Sequence, residues 1–142
     1  MGCPTHNKLP MTRDFLYDYM RQHRFAVLST VSAQNTPESA YVGIAVTREL
    51  NIVFDTVSDS RKYHNLQANP HIAFVIGGTR ERTLQYEGIA TVPSGEQLDV
   101  LLQIYFEAFP DGKLAPHCVL LCSASVDPLC RLWGLAKPDR GN

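Results

Sequence analysis

An α+β domain built on an antiparallel β-barrel is the fold that this sequence predicts, and three observations lead to it. Short apolar segments recur along the 142 residues, and several are joined by turns of only a few residues, so neighbouring segments should form an antiparallel meander. Some segments carry apolar side chains on both faces, as a wall with an interior on one side and a covered exterior on the other requires. Three helical patterns stand at intervals among six or seven strand candidates.

The first helix is expected from Thr12 to about His23. Thr12 can cap it, Asp14 suits its first turn, and Arg21, His23 and Arg24 suit its last. Phe15, Leu16, Tyr19 and Met20 form one apolar stripe for packing against the outside of a sheet. Strands follow at Phe25 to Val31, Ser39 to Thr47 and Asn51 to Thr56, with turns at 32–37 and at Arg48-Glu49-Leu50. In the second of them Tyr41, Gly43 and Ala45 share one face and Val42, Ile44 and Val46 the other.

A short helix comes next. Ser58, Asp59 and Ser60 offer N-caps, and Asn69-Pro70 stops it before an apolar strand from Ile72 to Ile76. Gly77-Gly78 permits a hairpin turn into the long alternating strand Arg82 to Val92. There Leu84, Tyr86, Gly88, Ala90 and Val92 share one side and Thr83, Gln85 and Glu87 the other, and Gly88 marks a bulge or a close approach. The third helix, Ser94 to Phe109, pairs Ser94 with Gln97 as a capping box and repeats Leu98, Leu101, Leu102, Tyr105 and Phe109 at helical spacing. Two last strands, Pro116 to Val126 and about Leu129 to Leu135, complete a single domain spanning 1–142, with 1–11 and 137–142 expected to be flexible.

The chemistry concentrates at the short helix. A helix N-terminus carries roughly half a positive charge, so a cation there is unfavourable by about 0.3–1 kcal/mol, yet this helix opens with Arg61 and Lys62 side by side. A phosphate bound by free backbone N–H groups, by the Ser60 and Thr56 hydroxyls and by both cations would resolve the conflict. Two solvated cations near Asp55 and Asp59 are the other reading.

Composition excludes several classes. Charged residues make up 19% and the net charge is −1, so there is no basic stripe to neutralise a nucleic-acid backbone. No signal-peptide core and no apolar run long enough for a membrane span occurs, and a cytoplasmic location is expected. Cys3, Cys118, Cys122 and Cys130 form no CxxC pair and have no His partner at zinc spacing, so no metal is expected. No Ser-His-Asp, Cys-His or paired-carboxylate arrangement stands out, and no catalytic side chain is assigned. His64 and His71 read as solvent-facing.

An ordered set of segments now carries a family resemblance: FAVLST, PESAYVGIAV, NIVFDTVSDSRKYHNLQANPHIAFVI, TLQYEGIATV and LCRLWG, over about residues 12–135. The chain resembles the FMN-binding split β-barrel family of pyridoxamine 5'-phosphate oxidase and its relatives. The most specific part is the series Thr56, Ser60, Arg61, Lys62, Asn65 and Asn69-Pro70. The resemblance implies a split barrel, with Thr56, Ser60, Arg61 and Lys62 holding the FMN phosphate and the backbone of Ser39, Ala40, Tyr41 and Val42 beside the isoalloxazine ring. The family's flavin-facing Gln falls on Thr83 by spacing from Gly88 and on Gln85 by residue type. Trp133 resembles a Trp given to the flavin by the other subunit, a buried core Trp being the alternative.

A homodimer with flavin at the interface, acting on a small-molecule substrate or electron donor, is the implied function. The vitamin-forming oxidase grips its substrate with an Arg-x-His segment after that Trp. Here the stretch reads Gly134, Leu135, Ala136, Lys137, Pro138, which argues against oxidation of pyridoxamine phosphate itself. A non-catalytic flavin- or haem-binding or stress-response protein, or a deazaflavin (F420)-dependent reductase, is the alternative.

Overall fold

The computed structural model of the chain describes residues 12–79, 82–112, 117–124 and 131–133. In chain order these form α1 (Arg13–Gln22), β1 (Phe25–Val31), β2 (Pro37–Gly43), β3 (Ala45–Val46), β4 (Ile52–Val57), α2 (Arg61–Ala68), β5 (His71–Gly77), β6 (Thr83–Thr91), α3 (Gly95–Ala108), β7 (His117–Ala124) and β8 (Arg131–Trp133). Every pairing is antiparallel, and the strands follow the order β2-β1-β5-β6-β7-β4-β3. Because β3 continues from β2, the two ends of this series meet and the sheet closes into a barrel. The α+β architecture with three peripheral helices is the one expected.

One feature of the strands differs from expectation. The segment read as one strand, Ser39 to Thr47, is two: β2 pairs with β1, whereas Ala45 and Val46 pair with Val53 and Ile52 of β4. Between them the Ile44 N–H donates to the Arg24 carbonyl at 2.8 Å, so the chain changes partner here without losing its alternation. At the other end of the series β6 gives one edge to β5 and divides the other, Thr83–Gln85 facing β8 and Gly88–Thr91 facing β7, which splits the barrel wall. The expected flexible ends, and Pro116, 125–130 and 134–135 of the expected last strands, lie outside the described residues.

Alternation sorts the side chains as the barrel needs. Leu28, Val42, Ile44, Phe54, Phe74, Ile76, Leu84 and Tyr86 fill the interior, with the Phe54, Phe74 and Tyr86 rings meeting edge to face. On the outside, Ala45, Val53, Leu101 and Tyr105 form a second apolar cluster beneath α3. The Tyr105 hydroxyl donates to Asp55 at 2.6 Å, and burial, with that carboxylate beside it, pushes its pKa well above the ordinary phenol value. Val92, one residue beyond β6, is exposed rather than buried.

Helix ends follow local chemistry with one exception. Thr12 caps α1 by accepting from the Phe15 N–H at 3.2 Å, and Gly77 and Gly78 turn the chain with φ of 95° and 119°. At α3 the expected capping box does not form. Ser94 stands at the N-cap without a side-chain bond, and Gly95 opens the helix at φ 60°, a conformation that redirects the backbone before Ser94 can close on it.

Candidate functional site

Inward-facing residues at one end of the barrel are polar, and α2 covers that mouth. Thr30 of β1 and Glu38 of β2 lie directly opposite each other across the strands. Thr56, near the end of β4, is buried and its hydroxyl lies 2.8 Å from that of Ser60. Ser60 in turn caps α2 by accepting from the Tyr63 N–H at 3.3 Å. The first intrahelical bond runs from the His64 N–H to the Ser60 carbonyl at 3.2 Å, so the Arg61 and Lys62 N–H groups precede it and remain available.

Arg61 and Lys62 stand in the first turn of α2, which holds no acidic residue. Arg61 is not paired with Asp55 or Asp59. Its Nη2 donates to Glu38 Oε1 at 2.6 Å, across a pair in which the Arg61 side chain is 85% exposed and that of Glu38 23%. The second oxygen of Glu38 accepts from the Asn65 amide at 2.7 Å, and the same buried amide donates to the Thr30 hydroxyl at 3.0 Å. Lys62 has no ion-pair partner among the described residues. A cavity of about 410 Å³, lined by Thr30, Glu38, Ser39, Ala40, Arg61 and Lys62, opens between them.

Strand β2 forms the floor of this region. Among the described residues it pairs only with β1, so the backbone groups on its other edge, between Ser39 and Val42, are free to bond a ligand. Ser39 and Tyr41 face outward, and the Ser39 hydroxyl lies 3.2 Å from that of Ser29. Tyr41 is 73% exposed, with its ring stacked on Phe25 at 5.5 Å between centroids.

Of the expected positions, the structure places Ser39, Ala40, Arg61 and Lys62 around one cavity and joins Thr56 to Ser60 at the start of α2, while Tyr41 and Val42 continue β2 away from it, one facing outward and one into the core. Thr83, Gln85 and Trp133 are not in that group. The register runs Tyr41–Val27–Val75–Gln85, three strand spacings, or roughly 14 Å, from β2 to β6. Thr83 and Gln85 share the outward face of β6, and the backbone of Trp133 pairs opposite Thr83. Both candidates for the flavin-facing position are therefore on the same surface.

Sequence reasoning missed Thr30 and Glu38 as members of the site. A carboxylate among residues chosen to hold an anion gives no local signal, and only the β1–β2 register shows it. His64 and His71 are exposed, as read. Among the described residues no cluster of three His, Cys, Asp or Glu could hold a metal, and no helix is long and apolar enough to cross a membrane. A second cavity of about 350 Å³, between α1, α3 and β3, contains none of the expected site residues.

Comparison with known proteins places these features in a group. Residues 13–122 match the family model described as pyridoxamine 5'-phosphate oxidase. No curated protein matches the sequence. Among solved structures, the conserved hypothetical protein Rv2991 from Mycobacterium tuberculosis superposes with a TM-score of 0.70 at 21% identity, over 93% of each chain. A heme binding protein from Mycobacterium smegmatis gives 0.69 at 12% identity, over 82% of this chain and 53% of its own length. An F420 reductase gives 0.57 at 21% identity, over 77% of this chain and 92% of its own. At these identities the likeness is one of fold.

Proposed function

The chain belongs to the pyridoxamine 5'-phosphate oxidase family, and on that premise we propose that it is an FMN-dependent oxidoreductase acting on a small molecule. The observation that carries this reading is the meeting of an N-terminal helix turn bearing Arg61 and Lys62 with the unpaired edge of β2. When bound, the flavin supplies hydride transfer. The protein's part is to bind and orient it. Lys62, Arg61 and the first N–H groups of α2 hold the phosphate, while the free backbone of Ser39 to Val42 offers donors and acceptors along the ring edge. Oxidation of pyridoxamine phosphate is not part of the proposal, because Gly134 to Pro138 lacks the Arg-x-His pair that grips it in the vitamin-forming oxidase.

The spectrum of the purified protein tests this. Flavin absorbance that bleaches under NAD(P)H is expected. A Soret band, or flavin that no reductant or substrate turns over, would assign the cradle to a haem- or flavin-binding protein without catalysis. A deazaflavin chromophore would keep the oxidoreductase and replace FMN.

The outward face of the barrel supports a second subunit. Phe25, Val27, Tyr41 and Val75 are all exposed and adjoin across β2, β1 and β5, forming an apolar patch beside the Ser39 to Val42 segment that would hold the ring. A C2 dimer buries this patch against its own copy and completes the wall of the flavin groove. Sedimentation should show a dimer, and Val27→Asp should give a monomer with weakened FMN binding. A monomeric wild type with full flavin affinity would reject it.

A further inference from the structure

Three arginines, Arg21, Arg24 and Arg48, line the second cavity, and among the described residues none of them is paired with a carboxylate. Arg21 follows Tyr17 by one turn of α1, and Arg48 stands on the turn after β3. Both guanidiniums converge on the Tyr17 ring, at 5.9 Å and 4.3 Å from its centroid. The turn that carries Arg48 is firmly held: the Thr47 N–H donates to the Asn51 carbonyl at 2.9 Å, and the Leu50 and Asn51 N–H groups donate to the Thr47 carbonyl and hydroxyl at 3.0 Å and 3.1 Å. Arg24, just past the C-cap of α1, is anchored at a different ring. It donates to the Ala108 carbonyl at the end of α3, and its guanidinium lies 4.6 Å from the Phe109 centroid.

Like charges drawn to one ring repel each other unless an anion joins them. Arg24 satisfies a carbonyl at the C-terminus of α3, but among the described residues Arg21 and Arg48 donate to no protein acceptor. Glu107 is the one acidic residue among the described lining, so three cations and one carboxylate leave the cavity with two positive charges in excess. These cations are divided between the Tyr17 and Phe109 rings, which suits two anionic groups on one molecule better than a single compact one. Met20, Val46 and Ile104 give the same cavity an apolar lining, and its volume of about 350 Å³ is that of a small-molecule site. We propose that this cavity binds a small organic dicarboxylate. One carboxylate lies with Arg21 and Arg48 beside Tyr17, the other meets Arg24, and the aliphatic spacer rests on the apolar lining. The site is separate from the phosphate cradle, because Arg24 precedes β1 whereas Thr30 lies six residues on, roughly 20 Å along the strand. None of Phe25, Val27, Tyr41 and Val75, the residues of the apolar patch, lines it.

Adipate and hexanoate test this, since they share a six-carbon chain and differ by one carboxylate. Titrated calorimetrically into the purified protein, adipate should bind about tenfold more tightly than hexanoate. Arg48→Gln should weaken both about tenfold, because it touches the end that either ligand uses. Arg24→Gln should weaken adipate about tenfold and leave hexanoate unchanged, and the retained hexanoate binding shows that this variant folds. Glu107→Gln, which removes the opposing charge, should tighten adipate a few-fold. Lys62→Ala should alter neither ligand. No saturable adipate binding up to about 10 mM, or equal affinities for adipate and hexanoate, would overturn the proposal. So would inorganic phosphate binding as tightly as adipate, which would make the site one for a compact anion. Adipate binding that is lost in Lys62→Ala and kept in Arg48→Gln would place the anion in the cradle and overturn it as well.

Discussion

Replacing Arg61 or Lys62 by alanine is expected to weaken FMN binding about ten- to a hundredfold and riboflavin binding hardly at all. Each side chain would make a charge-assisted bond to the phosphate, and such bonds contribute about 1.5–3 kcal/mol each. Riboflavin has the ring but no phosphate, so it reports on everything except the cradle. The two variants should part company without ligand. Lys62 has no ion-pair partner among the described residues, and removing a cation from the positive end of α2 should leave stability level or slightly raised. Arg61 is paired with Glu38, so its removal also leaves that half-buried carboxylate with the Asn65 amide as its remaining partner. Because the Arg61 side chain is 85% exposed, that pair contributes only a few tenths of a kcal/mol. Calorimetric titration of both ligands into wild type and both variants measures this. Equal losses for FMN and riboflavin would mean that these cations do not bind the phosphate.

Gly88→Ala should lower the unfolding free energy by about 3 kcal/mol. A Cβ at Gly88 would stand 2.4 Å from the backbone oxygen of Ser123, a distance that real side chains essentially never show. Neither strand can retreat cheaply, because Gly88 is paired with Ile72 of β5 on one side and Ala124 of β7 on the other. Gly95→Ala is the comparison. It has open space around it but a φ of 60°, so its cost is backbone strain alone, about 1 kcal/mol. Urea unfolding of the two variants should rank them in that order. A loss at Gly88 no larger than that at Gly95 would show that β6 and β7 yield.

The contrast between Arg61 and Glu38 shows what a sequence discloses of such a site. The cap at Ser60, the misplaced cations and the stop at Asn69-Pro70 all lie within one short stretch, and helix-end chemistry is local. Glu38 meets Arg61 only because β1 and β2 bring Thr30 and Glu38 together beneath α2. The same limit explains the strands. Ile44 continues the alternation of its neighbours, so nothing in the pattern reveals that β2 ends there and β3 takes a new partner. Alternation likewise identified β7 but could not say that its partners are β4 and β6. By contrast a glycine within an otherwise alternating strand signals a bulge or a close approach, and at Gly88 the structure shows the close approach, with the Ser123 backbone against it.

The pairing of β4 with β7 has a consequence for how the molecule is made. β1, β2, β5 and β6 pair among themselves within residues 25–91, so most of the wall can assemble as soon as β6 leaves the ribosome. β4 has only the two-residue β3 beside it until β7, from His117 onward, arrives. At roughly 5–20 residues per second, several seconds pass between the emergence of Val57 and that of β7. During that interval the edge of β4 that carries Thr56 lacks its partner and is open to mispairing with another chain. Translation order therefore leaves the end of β4 that carries Thr56 without its long partner strand until β7 has docked.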